Sequence, residues 1–198
     1  MSSMSKRKIA LILNIIIVVL EVLAFGYTIL NSHKIQVEYY TNDSNIIALV
    51  SSLLFIILYR KKKEFVKDLR FLSTIILTIT FLVVIFILSP MYNFNYKLLM
   101  FTDTFLVFHT ICPILSFISY VFFEEGSKHK YLGLIFTIVY ALILITLNIL
   151  DLVVGPYPFL EVKKQSLLMV GTCGILILIG SYLVGLTIYK LNKQKGAK

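Results

Sequence analysis

One histidine lies four residues before a proline inside a long apolar run, in the stretch F-H-T-I-C-P-I-L-S-F at 108–117. Pro113 has no backbone N–H, so the carbonyl of His109 loses its helical hydrogen-bond partner. The loosened turn leaves an acceptor beside a titratable ring, which suits a catalytic or ligand-binding imidazole. A histidine hydrogen-bonded to a neighbouring helix, above a packing kink, fits the pattern equally well.

A second ionisable group in an apolar run is the carboxyl of Glu21. Asn14, Glu21 and Thr28 are spaced seven residues apart, which places them on one face of a helix. An ionisable side chain within a membrane span faces the interior of the bundle. A proton or cation path is one interpretation of this face. An interhelical hydrogen bond is the other, and it is the commoner use of such residues.

Further polar side chains lie where apolar runs begin or end. Thr, Asn and Asp at such positions commonly cap a helix N-terminus, and tyrosine commonly anchors at a membrane interface. If both termini are cytoplasmic, these side chains lie in the outer half of the molecule, which indicates a site open to the outer leaflet. The members are Thr41 and Asn45 in Y-Y-T-N-D-S-N, Asp103, Asn148, Asp151, and Tyr157 in G-P-Y-P-F-L-E.

The sequence contains no motif for a metal, nucleotide or serine-hydrolase site. His33 and His129 fall in different loops and cannot join His109, and no H-x-x-x-H, H-E-x-x-H, P-loop, G-x-G-x-x-G or G-x-S-x-G occurs. Both cysteines, Cys112 and Cys173, sit in apolar runs, as small buried hydrophobic residues do. We therefore predict no metal and no cofactor.

Six apolar runs must position these residues. The chain is 59% hydrophobic, against ~45–50% for soluble domains, and a membrane span takes ~20 helical residues. Short connections make neighbouring spans antiparallel. The predicted fold class is therefore an all-α, six-transmembrane-helix bundle, forming one integral membrane domain over residues 1–198. The predicted spans are Ile9–Leu30, Tyr39–Tyr59, Phe71–Ser89, Leu99–Phe123, Tyr131–Val153 and Ser166–Tyr189.

Lysine and arginine residues indicate the orientation of the bundle. Fifteen of the nineteen lie at the N-terminus, between the second and third runs, between the fourth and fifth, and in the tail. Such residues are retained on the cytoplasmic side, so both termini are predicted to be cytoplasmic. The predicted location of the protein is the plasma membrane. The R-K-K-K run at 60–63 is then a signal that keeps this loop on the cytoplasmic side, next to anionic lipid. We predict no nucleic-acid partner. The sequence does not specify an oligomeric state.

Three short motifs, in order, resemble the androgen-induced gene 1 family, its relative the androgen-dependent regulator of tissue-factor-pathway inhibitor, and related bacterial six-span proteins. They are Y-Y-T at 39–41, H-T-x-x-P-I-L at 109–115 followed by Glu124, and Y-P-F-L-E at 157–161. The resemblance covers the whole membrane region. It implies an intramembrane hydrolase that cleaves fatty acid esters of hydroxy fatty acids or similar esters, with Thr41 as nucleophile and His109 as base.

On this resemblance, the Thr41 hydroxyl attacks a fatty-acyl ester after the imidazole takes its proton. Backbone N–H groups of residues 42–45 are candidate oxyanion donors. Asp103, Asn148 or Asp151 is expected to orient the ring, and the sequence does not choose among them. The rival interpretation is a non-catalytic lipid-binding or transport protein with a polar intramembrane cavity around Glu21 and His109.

The depths of the two side chains give this mechanism a structural condition. If the fourth span starts at Leu99, His109 lies ~15 Å below its outer end, whereas Thr41 lies only ~3 Å below the end of the second. Counting from Thr104 reduces the depth of His109 to ~8 Å. The hydrolase interpretation therefore predicts that the fourth span is over-long at its outer end.

Overall fold

The structure is a computed structural model that describes residues 3–61 and 63–196. Within those ranges all regular secondary structure is helical. The α-helices are α1 (Ser3–Ser32), α2 (Tyr40–Ile57), α3 (Glu64–Val83), α4 (Tyr96–Phe101), α5 (Cys112–Phe123), α6 (Leu132–Ile149) and α7 (Leu167–Gly196), with short helical turns at Ser89–Met91 and Asp103–Phe105. π-Helical segments at Val84–Leu88 and Leu106–Ile111 adjoin α3 and α5, and a 3₁₀ turn at Pro158–Leu160 precedes α7.

Six helices in the described ranges are long and apolar enough to cross a membrane. They are Met4–Ser32, Tyr40–Ile57, Glu64–Met91, Asp103–Phe123, Leu132–Ile149 and Leu167–Gln194. The prediction of an all-α protein with six such helices is confirmed, and it indicates an integral membrane protein. Most ends differ from the predicted ones by a few residues, and the differences at the starts of the third and fourth helices change how Arg70 and His109 are placed.

The third helix begins at Glu64, seven residues before the predicted start at Phe71. Its first two turns carry charged residues, and these favoured a loop when only the sequence was considered. The helix nevertheless continues through them because Arg70, at its second turn, is fully buried. The assignment of Arg70 to a loop was therefore wrong.

The fourth predicted span, Leu99–Phe123, is broken near its start. The backbone of Thr102 is extended (φ −108°, ψ 142°), and Asp103 adopts a left-handed conformation with φ 44°. The chain before this break forms α4, and the membrane-crossing helix starts at Asp103. The start at Leu99 was therefore wrong, and the alternative count from Thr104 is close to the observed start.

Helix α3 occupies the centre of the bundle, because its side chains pack on several neighbours at once. Phe71 and Ile75 are buried in a cluster with Tyr120 of α5 and Ile188 of α7. Helix α6 approaches closely at Gly133, where an added Cβ would overlap the side chain of Ile75. Helix α7 is the least buried of the six and lies at the rim.

A buried ion pair joins the helices at the end of the bundle remote from Thr41. Arg70 donates from Nη2 to Glu124 Oε1 at 2.9 Å and from Nε to Oε2 at 3.0 Å, and neither side chain is more than 2% exposed. Ser52 of α2 accepts from Arg70 Nη1 at 3.0 Å, and Asn14 of α1 donates to Glu124 at 3.0 Å. The paired carboxylate and the hydroxyls compensate the cost of burying the guanidinium.

Candidate active site

Thr41 and His109 meet in the buried interior near one end of the bundle. Thr41 lies in the first turn of α2, and His109 lies in the π-helical segment Leu106–Ile111. The distance from Thr41 Oγ1 to His109 Nε2 is 3.3 Å, and the two residues are 8% and 5% exposed. This is close to hydrogen-bond reach for a hydroxyl and its general base in a structure without substrate.

The second ring nitrogen of His109 fixes the tautomer of the imidazole. Nδ1 lies 2.5 Å from the backbone oxygen of Leu99. A carbonyl oxygen only accepts hydrogen bonds, so Nδ1 carries the proton and Nε2 presents its lone pair to the Thr41 hydroxyl. Phe105 stacks on the imidazole, with ring centroids 4.8 Å apart and planes inclined by 8°, and so restricts its rotation.

The break at Thr102 explains how a backbone carbonyl reaches the imidazole. It lets α4 fold back beside the π-helical segment, so that the last carbonyls of α4, which have no partner within their own helix, meet side chains. Leu99 accepts from His109, and Met100 accepts from Thr110 Oγ1 at 2.9 Å. Pro113, which cannot continue the hydrogen-bond ladder, follows the π-helical segment directly. Such segments occur frequently at functional sites.

Asn45 joins the two elements that carry the pair. Its Nδ2 donates to the carbonyl of Thr41 at 2.7 Å and to the carbonyl of Phe108 at 3.3 Å. One side chain therefore ties α2 to the residue next to His109. The structure gives Asn45 a position from which it holds the threonine and the histidine at a fixed separation.

Tyr157 brings the connection between α6 and α7 into the same site. Its hydroxyl accepts from the backbone N–H of Thr41 at 3.3 Å and lies 3.4 Å from Thr41 Oγ1. The ring stacks on Phe159 and meets Tyr39 edge-on. Burial raises the pKa of Tyr157 to about 12, so the phenol is neutral near pH 7 and keeps a proton to donate.

An apolar cavity of about 220 Å³ opens beside Thr41. It exceeds the ~150 Å³ of an engineered apolar cavity that accepts benzene, so it has room for a segment of hydrocarbon chain. Its walls come from α3, α6, α7 and the Tyr157 loop, and it extends to Leu142, whose side chain is exposed at the rim of the bundle. The cavity thus connects Thr41 with the outer surface of the bundle.

None of the three residues expected to orient the imidazole contacts it in the described structure. Asp103 is exposed. Asn148 donates to the carbonyl of Val153 at 3.1 Å and thereby closes its own loop. Asp151 is exposed and pairs with Lys163 at 2.5 Å. The Leu99 carbonyl takes the orienting position instead, and a sequence pattern carries no signal for such a contact because every residue has a carbonyl.

The backbone donors expected at residues 42–45 are also engaged at the start of α2. The N–H groups of Asn42 and Asp43 donate to the carbonyl of Tyr39 at 2.9 and 3.2 Å. The N–H group of Thr41 points instead to the Tyr157 hydroxyl. The amide of Thr41 and the Tyr157 phenol are therefore the polar donors adjacent to the threonine oxygen.

Glu21 does not join the Thr41 and His109 pair. Its side chain is fully buried, and within the described ranges neither carboxyl oxygen has a nitrogen or oxygen hydrogen-bond partner. The thiol of Cys112, one turn beyond His109, lies beside it. Glu21, on α1, thus faces the fourth span at Cys112, one turn beyond His109.

The arrangement combines a hydroxyl, an imidazole in the tautomer of a general base, a carbonyl that orients the ring and an adjacent phenol. No cluster of three or more His, Cys, Asp or Glu side chains suited to a metal ion occurs among residues 3–61 and 63–196. No family model, curated protein or solved structure matches the chain. The chemistry assigned below therefore depends on the geometry of the site together with the motif resemblance.

Proposed function

We propose that the protein is an intramembrane hydrolase of fatty-acyl esters, with Thr41 as nucleophile and His109 as general base. The observation that carries the proposal is the 3.3 Å contact between Thr41 Oγ1 and His109 Nε2 at the wall of an apolar cavity. A hydroxyl is a weak nucleophile until an adjacent base takes its proton. The resemblance to the androgen-induced gene 1 family supports the same pair.

In the acylation step Thr41 Oγ1 forms a bond to the ester carbonyl carbon while its proton passes to Nε2 of His109. The tetrahedral intermediate collapses, the bond to the alcohol oxygen breaks, and the imidazolium returns the proton to that oxygen. His109 then takes a proton from a water molecule, whose oxygen forms a bond to the carbonyl carbon of the acyl-threonine. The bond to Thr41 Oγ1 breaks, the imidazolium returns the proton to Oγ1, and the fatty acid is released. The Leu99 carbonyl, which accepts from Nδ1 throughout, stabilises the imidazolium formed in both steps.

The developing oxyanion requires hydrogen-bond donors close to the nucleophile. The backbone N–H of Thr41 and the hydroxyl of Tyr157 are 3.3 Å apart beside Thr41 Oγ1. When the carbonyl oxygen of the substrate enters between these two groups, it replaces their mutual hydrogen bond and accepts one hydrogen bond from each. We assign them as the oxyanion donors of the proposed reaction.

The substrate class follows from the cavity. Its walls are almost entirely apolar, so they favour a hydrocarbon chain whose carboxyl end reaches Thr41. Fatty acid esters of hydroxy fatty acids, which the family resemblance implies, meet this requirement, as do other long-chain esters. We assign the protein to the plasma membrane with both termini cytoplasmic, which puts Thr41 toward the outer face.

The proposed nucleophile is tested with a fluorophosphonate probe and the purified protein. Attack by Thr41 Oγ1 on phosphorus, with loss of fluoride, is expected to leave a stable adduct on the peptide that contains residue 41, detected by mass spectrometry. His109→Ala is expected to prevent labelling because the hydroxyl then lacks its base. Ester hydrolysis accompanied by labelling at another residue would overturn the assignment.

Tyr157→Phe removes one proposed oxyanion donor and keeps the ring that packs on Phe159. The expected result is a fall in kcat on the order of 10²-fold with little change in KM, the effect of losing a donor that acts mainly in the transition state. Steady-state hydrolysis of a long-chain ester measures both constants. Tyr131→Phe, an exposed tyrosine remote from the site, is the matched control. Unchanged kcat in Tyr157→Phe would remove Tyr157 from the mechanism.

The carboxyl of Glu21, buried beside the Cys112 thiol, favours a second candidate, a non-catalytic lipid-binding or transport protein in which Glu21 and His109 form part of a polar pathway. Glu21→Gln separates the two. The hydrolase is expected to keep its probe labelling in this variant, whereas a transporter is expected to lose flux in proteoliposomes. Absence of any adduct together with loss of flux in Glu21→Gln would favour transport.

A further inference from the structure

A second cavity, of about 180 Å³, lies at the end of the bundle remote from Thr41. It is bounded by the start of α1, the end of α2, the start of α3 and the end of α5. Its floor is apolar and aromatic, formed by Phe55, Leu58, Tyr59, Val66 and Phe123. Its rim carries four cations from two separate parts of the chain, namely Lys6 and Arg7 of α1 and Lys63 and Lys67 at the start of α3. We refer to this cavity as the basic cleft.

The anions that line the basic cleft do not neutralise it. Glu124 is held by Arg70 at 2.9 Å, behind the cleft. Glu125 pairs with Lys67 at 3.0 Å. These pairings leave the positive charges of Lys6, Arg7 and Lys63 in excess around one concave site, which is the electrostatic condition for binding an anion.

Arg7 is held in a defined position at the rim. Its guanidinium carbon lies 4.5 Å from the ring centroid of Tyr59, a cation–π contact that restricts the side chain without consuming its N–H donors. A guanidinium placed in this way binds a phosphate with two parallel hydrogen bonds. The Tyr59 ring in the floor therefore also orients Arg7, the side chain at the rim that is suited to binding a phosphate.

We propose that the basic cleft binds one molecule of an anionic phospholipid. Its floor lies at the ends of α2 and α5 and at the start of α3, all membrane-crossing helices, so it lies at the depth where acyl chains begin. Its rim lies just beyond, at the depth of lipid head groups. A phosphodiester head group satisfies the cations while the first acyl carbons cover the apolar floor, and a soluble phosphate satisfies only the rim. The proposal is independent of the hydrolase mechanism.

The test measures lipids retained by the purified protein from nanodiscs that contain equal amounts of phosphatidylglycerol and phosphatidylcholine. Native mass spectrometry is expected to show one phosphatidylglycerol retained in at least ~10-fold preference over phosphatidylcholine. The triple variant Lys6→Gln, Arg7→Gln, Lys63→Gln is expected to lose that preference. These residues are at the surface, so the fold should persist, and circular dichroism checks it.

The matched control removes the same charge from the same end of the bundle. Lys130, Lys190 and Lys193 lie outside the basic cleft, and their triple replacement by glutamine is expected to keep the preference. An equal loss in both triple variants would overturn the proposal, because general surface charge would then explain binding. Displacement of the lipid by equimolar glycerol phosphate would also overturn it, since the site would then recognise a free phosphate group.

Discussion

Thr41→Ala and His109→Ala are each expected to reduce hydrolysis of a long-chain fluorogenic ester by at least on the order of 10³-fold, because each removes one partner of the 3.3 Å pair. Thr41→Ser retains a hydroxyl and is expected to keep measurable activity. Initial rates of the purified proteins in detergent provide the measurement.

The double variant Thr41→Ala with His109→Ala tests whether the two residues act together in one catalytic unit or contribute to the rate independently. Residues that act together are grossly non-additive, so the double variant is expected to be no slower than the slower single variant. Thr146→Val is the matched control, since the Thr146 hydroxyl is exposed and donates within its own helix at 2.7 Å. Full activity of Thr41→Ala would end the threonine mechanism, whatever His109→Ala does.

The second large effect is expected at the other end of the bundle. Arg70→Met leaves the Glu124 carboxylate buried without its guanidinium, and breaking a buried pair in this way typically costs about 3–5 kcal/mol. The apparent melting temperature in detergent, followed by circular dichroism, is expected to fall steeply. Lys67→Met, which breaks the solvent-accessible pairs with Glu64 and Glu125, is expected to cost at most ~1 kcal/mol for each pair.

A second substitution distinguishes an unpaired charge from simple loss of packing. Glu124→Gln in the Arg70→Met background removes the unpaired buried carboxylate. The glutamine amide oxygen still accepts hydrogen bonds from Ser119 and Asn14, so part of the lost stability is expected to return. No recovery would assign the loss to packing of the Arg70 side chain. A melting temperature of Arg70→Met equal to that of the unsubstituted protein would show that the ion pair does not stabilise the bundle.

The buried ion pair also shows where reasoning from the sequence failed. Arg70 follows a basic loop, and its charge was counted as a topology signal; Glu124 sits at the end of an apolar run. Their burial depends on Ser51 and Ser52 of α2 and on Ser116 of α5, whose hydroxyls accept from Arg70. Serines in apolar runs were the available signal, but a single sequence does not show which helices their hydroxyls face.

The six-helix architecture was determined by the sequence itself, because apolar runs of sufficient length can satisfy their backbone hydrogen bonds in lipid only as helices. The pairing of Thr41 with His109 was predicted through the motif resemblance, and the structure brings the two side chains into contact. The expectation that the fourth span is over-long at its outer end was wrong, because the membrane-crossing helix starts only at Asp103. At that end the chain has a break at Thr102 rather than a longer helix.

Only the tertiary structure decided which groups surround that pair. The Leu99 carbonyl reaches His109 because α4 folds back at Thr102, and the Tyr157 hydroxyl reaches Thr41 because the loop before α7 packs on the bundle. Neither contact leaves a periodic pattern in the chain: one uses a backbone atom common to all residues, and the other joins positions 116 residues apart. Helix formation depends on neighbours in sequence, whereas the site depends on how separate helices and loops pack in space.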